Sequence, residues 1–406
     1  MAGRLTAMPG QEPLPSTIPA KPKWAPGLSR SARRLTAAAA ALAATVTLAA
    51  CSGLAAGSNG GSSGGDGITR TGDSPAAGGQ PAHRHKHKHR GSVTITAVGD
   101  TMLGSTPALP PDPATFFDEV KPQLTGGAQI VFGNLEGTLT TASGSKCGGA
   151  NGGSCFAFRD PPSWAKYYKQ AGFTVLNDAN NHSFDFGPAG QQQTVRAIRA
   201  AGMAQTGLPG EITVVRAHRI KVAFVAFAPY DWSAKLTDVP AARALIEKAA
   251  AKAPIVVVYM HAGGEGSDAG HVTGKEEIFL GEDRGNPQAF AKMAIDAGAS
   301  LVIASGPHVL RGMEFYRHHL IAYSLGNFAG YGNFATEGVL NLSAILRVRL
   351  SATGKFERAH LFPVQFAGKG QPVPGGDTVS FVSRLSAEDF GPHAARFSRT
   401  GRITPP

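Results

Sequence analysis

Carboxylate, carboxamide and imidazole side chains recur in this chain at the ends of apolar runs, a mixture that suits a hard or borderline divalent metal ion. Asp100 closes the run that starts at Val93, and Asn134 and Glu136 close the run from Ile130. Asn180, Asn181 and His182 follow the run from Phe173, His261 ends the run from Ile255, and His308 comes just after the run from Leu301. Short apolar runs bounded by turn formers read as strands buried on both faces. Ligands of α/β folds gather at the carboxyl ends of such strands, so these side chains are expected to meet in one place.

Each position has a plainer alternative. An aspartate after a strand serves equally well as a helix cap, and Gly99-Asp100 alone leaves both roles open. A glutamate at a buried strand end, such as Glu136, needs a counter-charge or a metal. The segment from Asn180 to Gly187 is more specific. Asp185, three residues after His182, can hold the imidazole in one tautomer and raise its basicity, which makes His182 and Asp185 the expected proton-handling pair. Its structural alternative is a turn of Asn and Gly around a core histidine. His261 leads into the permissive Gly263-Gly264 and is expected to be a ligand, with Glu265 behind it or against substrate. A nucleophilic Ser324 partnered by a histidine is a rival idea, but no glycine-flanked elbow surrounds it.

The elements that must position these groups alternate. Helical spacing of apolar residues runs from Pro113 to Leu124, Pro162 to Ala171, Ala189 to Ala201, Pro240 to Ala251 and Pro287 to Ala297, several opening with proline. Strand, helix and strand in repetition predict an α/β domain. The segments Val339 to Leu350 and Phe356 to Phe366 instead alternate apolar with polar around a turn containing Gly354, which predicts an antiparallel hairpin and hence mixed sheets. Residues 92–368 are read as the folded domain. Residues 369–406, rich in Pro and Gly, are expected to wrap its surface with a short helix or to be partly disordered. No internal repeat is evident.

The first ninety residues cannot form a packed core, being long stretches of Ala, Gly, Ser and Pro. They hold eleven Lys/Arg against three Asp/Glu, a net of +8, so only +3 of the total +11 belongs to the rest. The high pI is therefore a property of the tail and does not predict nucleic-acid binding. Arg30, Arg33 and Arg34 precede an apolar stretch from Leu35 to Ala50, too short for a membrane helix, which needs about 20 residues. Residues 1–51 thus parse as a signal peptide ending in Leu48-Ala49-Ala50-Cys51, which resembles a bacterial lipobox with Cys51 as the lipidated residue; Arg33-Arg34 as a twin-arginine signal is the alternative. Residues 52–91 read as a Gly/Ser-rich spacer, and its stretch His83 to His89 as a basic segment facing anionic polymer or lipid, or as a metal-gathering arm. Cys147 and Cys155 are left as a pair. In an exported protein a local disulfide is their natural use, worth about 2.6 kcal/mol by loop entropy, with free thiols or a metal pair as alternatives.

Gly99-Asp100 with Met102-Leu103-Gly104, Asn134-Leu135-Glu136, Ala179 to His182 with Asp185 and Gly187, His261 to Glu265, Gly306 to Val309 and Tyr323 to Phe328 together resemble the CapA family of bacterial capsule, or poly-γ-glutamate, synthesis proteins. That family is similar to the calcineurin-like metallophosphoesterases. The resemblance spans roughly residues 93–330. It implies a four-layer α/β/β/α sandwich carrying two divalent metal ions, drawn from Mn, Fe, Zn or Mg. It further implies Asp100, Glu136, Asn181, His261 and His308 as ligands, His182 and Asp185 as the catalytic pair, and Asn134, Asn180, Glu265, Ser305 and Asn327 as supporting or substrate-binding groups. Two positions depart from the pattern. Ser305 stands where relatives often carry histidine, and Met102 where the wider superfamily uses Asp-x-His. The implied function is a lipid-anchored metal-dependent hydrolase or transferase at the outer membrane face, acting in capsule or poly-γ-glutamate synthesis, export or anchoring. Its implied partners are an anionic envelope polymer or precursor and capsule-synthesis proteins. The alternative is a non-catalytic protein that binds and guides such a polymer.

Overall fold

The computed structural model of this chain describes residues 91–148 and 155–406, so Cys51 and the histidine-rich stretch lie outside the described residues. The apolar runs form strands as their composition dictates: Ser92–Thr101, Ile130–Leu135, Val175–Asn177, Ile255–His261 and Leu301–Ser305. Nearly every residue in them is buried, as expected of strands covered on both faces.

Two mixed sheets face each other. The ten-stranded first sheet runs through the parallel neighbours Ser92–Thr101, Ile130–Leu135 and Val175–Asn177 to Ala204–Thr206 at one edge. It continues antiparallel through the hairpin Leu342–Ser351 and Phe356–Ala367 and then Arg402–Thr404. The seven-stranded second sheet centres on the parallel strands Ile220–Ala228, Ile255–His261 and Leu301–Ser305. Alternate residues of both sheets, among them Ile95, Phe132, Leu346, Phe224, Val257 and Ile303, close the core between them, with Phe132 stacked on Phe224 at 5.6 Å. The opposite face of the first sheet packs Val131 and Leu176 against the helical residues Leu124, Tyr168 and Ile198. That of the second packs Val258 and Val302 against Ile246 and Phe290. Helix, sheet, sheet and helix are thus the four layers.

The helices fall where their caps place them. Asp238 accepts the Ala241 amide before helix Val239–Lys252, and Asn286 accepts the Ala289 amide before helix Pro287–Asp296. The stretch from Pro113 is helical only from Asp118, as a short 3-10 turn followed by Lys121–Thr125. Pro110, Pro111 and Pro113 remove amide donors there, and Asp112 draws the Ala114 amide into a local turn. After Gly368, helix Thr378–Phe390 buries Val382 and Leu385 and stacks Phe390 on Tyr323, while the short strands Arg396–Phe397 and Arg402–Thr404 extend the first sheet. Among the described residues no helix is long and apolar enough to cross a membrane.

Candidate metal centre

The strand tips converge because the first strand bends sharply at Gly99. A Cβ there would collide with the Gly326 carbonyl, and that close approach lets the Asp100 amide bond the same carbonyl at 2.9 Å. Asp100 consequently sits in register with Asn134 on one side and Asn327 on the other. His261 and Ser305 are neighbours at the corresponding end of the second sheet. Beyond Ser305, Gly306 and then His308 adopt positive φ (114° and 60°), a strained course for histidine that swings its ring back toward Asp100.

Asp100, Glu136 and His261, all fully buried, offer one ligand atom each within 4.8 Å of one another, a group able to hold a metal ion. His308 joins them, its Nδ1 3.2 Å from Asp100 Oδ2 and its Nε2 3.5 Å from Glu136 Oε1. The donor atoms themselves show the fit. Glu136 Oε1 and His261 Nε2 face each other at 3.8 Å, and neither has a hydrogen-bond partner. A buried polar atom left unpaired is costly, and a divalent cation would satisfy both.

The surrounding hydrogen bonds set the protonation of these donors. The Asp100 carboxylate can only accept, so Ser305 Oγ donates to its Oδ1. Ser305 Oγ then accepts from Tyr259 Oη at 2.5 Å, and Tyr259 Oη accepts from His261 Nδ1 at 3.2 Å. With its proton on Nδ1, His261 presents the Nε2 lone pair to the carboxylates, the tautomer that a metal needs. Burial and charge divide the cluster into charged and neutral groups. Burial pushes Asp100 up, but the hydrogen bond and charge of His308, with His261, outweigh it and hold that carboxyl below the usual range. Burial and then the Asp100 charge push Glu136 well up, burial takes His261 down to about 3, and burial keeps the Tyr259 phenol neutral. His308 is raised, because its hydrogen bond to Asp100 and that residue's charge overcome the burial that lowers it.

Asn134 ties the carboxylates together, donating through Nδ2 to Asp100 Oδ1 at 2.7 Å and to Glu136 Oε2 at 3.1 Å. Its own carbonyl accepts from Asn177 and Asn180, and Asn180 in turn accepts the His182 amide at 2.9 Å. Asn134 and Asn180 are therefore scaffolding, fully occupied. Asn327 accepts from His308 Nδ1 at 2.7 Å, which leaves His308 Nε2 facing Glu136. Asn181 lines the adjoining cavity, its Oδ1 buried without a partner. Met102 is buried in the core and its sulfur accepts from Asn333.

His182 Nδ1 bonds Asp185 Oδ2 at 2.9 Å, and that carboxylate is braced by the Phe158 amide at 2.7 Å and by Lys146 Nζ at 2.7 Å. Burial pulls the imidazole below its ordinary value against the pull of Asp185, so Nε2 is a free acceptor. His182, Glu265, His308 and Asn327 share a cavity of about 300 Å³ with Phe156, Phe158 and Phe334. Ser324, by contrast, is fully buried and accepts the Gly326 amide at 3.0 Å, which makes it a turn-bracing hydroxyl.

The bacterial capsule synthesis protein PGA_cap family matches residues 94–331, more than half of the sequence. The chain belongs to that family. It is 30% identical over 184 residues to the capsule biosynthesis protein CapA of Bacillus anthracis, covering 40% of this chain and 41% of that one. It is 28% identical over 239 residues to the PGA biosynthesis protein CapA of Bacillus subtilis (strain 168), covering 49% of this chain and 58% of that one. The alignments thus span about half the length of these relatives. Among solved structures, a putative 5'-nucleotidase from Staphylococcus aureus matches with a TM-score of 0.43 and 12% identity over 73% of this chain and 58% of that one.

Several residues of this PGA_cap site carry no signal in the sequence. Tyr259 lies inside an apolar run and reads as core. Arg284 comes from a loop, is buried, and pairs with Glu265 at 2.9 Å and Glu282 at 3.0 Å while its Nη1 has no partner. Lys146 adjoins Cys147, which is bonded to Cys155, so the bridge ties Lys146 and Phe156 together on the wall of one cavity. Phe184, Trp232 and Tyr230 stack in series beside them, at 5.1 and 4.6 Å.

Proposed function

We propose that this PGA_cap protein is a metal-dependent hydrolase or transferase of the cell envelope. Its electrophile is a phosphoester or an amide of an anionic capsule-type polymer such as polyglutamate. One observation carries the proposal: the buried Glu136 Oε1 and His261 Nε2, neither with a hydrogen-bond partner, face each other beside Asp100, and His308, 3.5 Å from Glu136 Oε1, lines the cavity that holds His182.

Asp100, Glu136 and His261, with His308 and Asn181, would hold the divalent metal, as one ion or two. The chemistry supplied there is polarisation of the electrophile and a lowered pKa for an attacking water. The protein's own groups do the rest. Asp185 and Lys146 fix the His182 ring, whose Nε2 takes a proton from the nucleophile or returns it to the leaving group. Glu265 and Arg284, joined to each other, face the same cavity system and orient charged substrate groups. Phe156, Phe158 and Phe334 exclude water around His182.

The cellular setting is part of the proposal. The leader and Cys51 would anchor the chain by lipid at the outer face of the membrane, with the anionic polymer and other capsule-synthesis proteins as partners. The test is a screen of metal-reconstituted full-length protein against phosphoesters, polyglutamate and peptidoglycan fragments, each with a chelator control. Turnover that the chelator abolishes and His182→Gln strongly reduces supports the proposal. Chelator-resistant turnover contradicts it.

A further inference from the structure

The helices that cover the outer face of the first sheet pack on Ile345 and Val364 of its antiparallel half but leave part of that half uncovered. There the outward positions of Leu342–Ser351, Phe356–Ala367 and Arg402–Thr404 line a cleft of about 890 Å³. Five of its side chains are basic: Arg347, Arg349, Arg358, His360 and Arg402. The register sets one pair of cations against each other, Arg349 opposite Arg358, while His360, between Arg347 and Arg402, is held below its ordinary value by burial and the Arg347 charge. Like charges directly opposite across a sheet destabilise it, and strands about 4.8 Å apart give them little room. Among the described residues one acid lines the cleft, Glu357, which bonds Arg349 at 2.9 Å. Arg358 and Arg402 have no acidic partner among the described residues.

One cation is also held in place. The Arg347 guanidinium lies 4.6 Å over the Phe362 ring, and its Nη2 donates to the Gln123 carbonyl. A fixed guanidinium flanked by unpaired ones loses little freedom on meeting an anion.

We propose that this cleft is a second binding site, which grips a polycarboxylate chain away from the metal centre. The identity of that chain rests on the function proposed above; the anion site itself does not. Thr94, in register with Arg349, precedes Asp100 by six residues on one strand, which puts the cleft roughly 20 Å from the metal ligands at about 3.3 Å per residue. A long polymer can be held here while another part of it enters the catalytic cavity. Guanidinium forks match carboxylates in pairs. Nucleic acid fits less well, because Phe362 and His360 pack on each other at 4.3 Å beneath Arg347 instead of forming a stacking platform.

The test measures binding of poly-γ-glutamate, and separately of inorganic polyphosphate, to the full-length protein at fixed ionic strength. Arg358→Glu with Arg402→Glu is compared with Arg216→Glu with Arg219→Glu, an equal charge change at exposed positions on the other sheet and its turn. The cleft pair is expected to weaken poly-γ-glutamate binding about tenfold or more and the control pair less than about twofold, the loss of charge-assisted contacts at one site only. Arg358→Gln, which removes a charge without reversing it, is expected to give a smaller loss in the same direction. Equal weakening by both pairs, or polyphosphate held while poly-γ-glutamate is not, overturns the proposal. Metal content measured on the same proteins separates this outcome from failure of the catalytic reading, since the cleft variants leave every metal-side residue in place.

Discussion

Tyr259 Oη lies 2.5 Å from Ser305 Oγ, and this contact joins a metal-side carboxylate to a metal-side imidazole across the two sheets. Ser305 is a relay between them. Its hydroxyl is committed to Asp100, and the phenol behind it sets the tautomer of His261.

Tyr259→Phe is expected to weaken metal binding about 10–100-fold, the range typical of groups that orient metal ligands. Competition against a chromophoric chelator measures it. Ser305→Ala breaks the same relay and is expected to act in the same direction. A loss of thermal stability with unchanged metal affinity in both variants would reduce the relay to a packing feature.

Asp185→Asn leaves the metal ligands untouched and removes the charge that holds His182. Turnover is expected to fall by about 10²-fold or more, in the range of general acid–base contributions, with metal content unchanged. Metal loss in this variant, or full turnover, would contradict the separation of roles between the two clusters.

Asp160 gives the fold a pH dependence outside the site. Burial pushes its carboxyl up to about 8, against the Leu103 and Gly104 amides that lower it. The folded protein therefore keeps a proton that the unfolded chain releases near its ordinary value of 3.8. The stabilising contribution is complete below that value and is lost as pH rises through about 8, at most about 1.4 kcal/mol per pH unit. Asp160→Asn is expected to flatten the decline in urea midpoint between acid and mildly alkaline pH. Parallel profiles for the two proteins would contradict this.

The parts of the site legible in sequence are those carried by buried strands, because a strand covered on both faces shows as a continuous apolar run whose polar tip stands out. Asp100, Glu136 and His261 were visible for that reason, and His182 with Asp185 through their spacing. Tyr259 was not, since a phenol inside such a run differs from core residues only in the partner its hydroxyl finds. Arg284 and Lys146 lie in loops, where no periodicity marks position. The closing strands Arg396–Phe397 and Arg402–Thr404 are too short to show alternation, so the ten-stranded extent of the first sheet was hidden. The basic cleft was hidden likewise, since its register depends on three strands whose pairing only the fold displays.

The central claim is that Glu136 and His261 face each other in order to share a metal ion. Elemental analysis of full-length protein purified after metal-replete growth tests it most directly, alongside the double variant Glu136→Gln, His261→Gln, which keeps the shapes of the side chains close to the originals. The account predicts stoichiometric transition metal in the wild-type protein and almost none in a folded double variant. Wild-type protein free of metal, or a variant that holds as much, would contradict it.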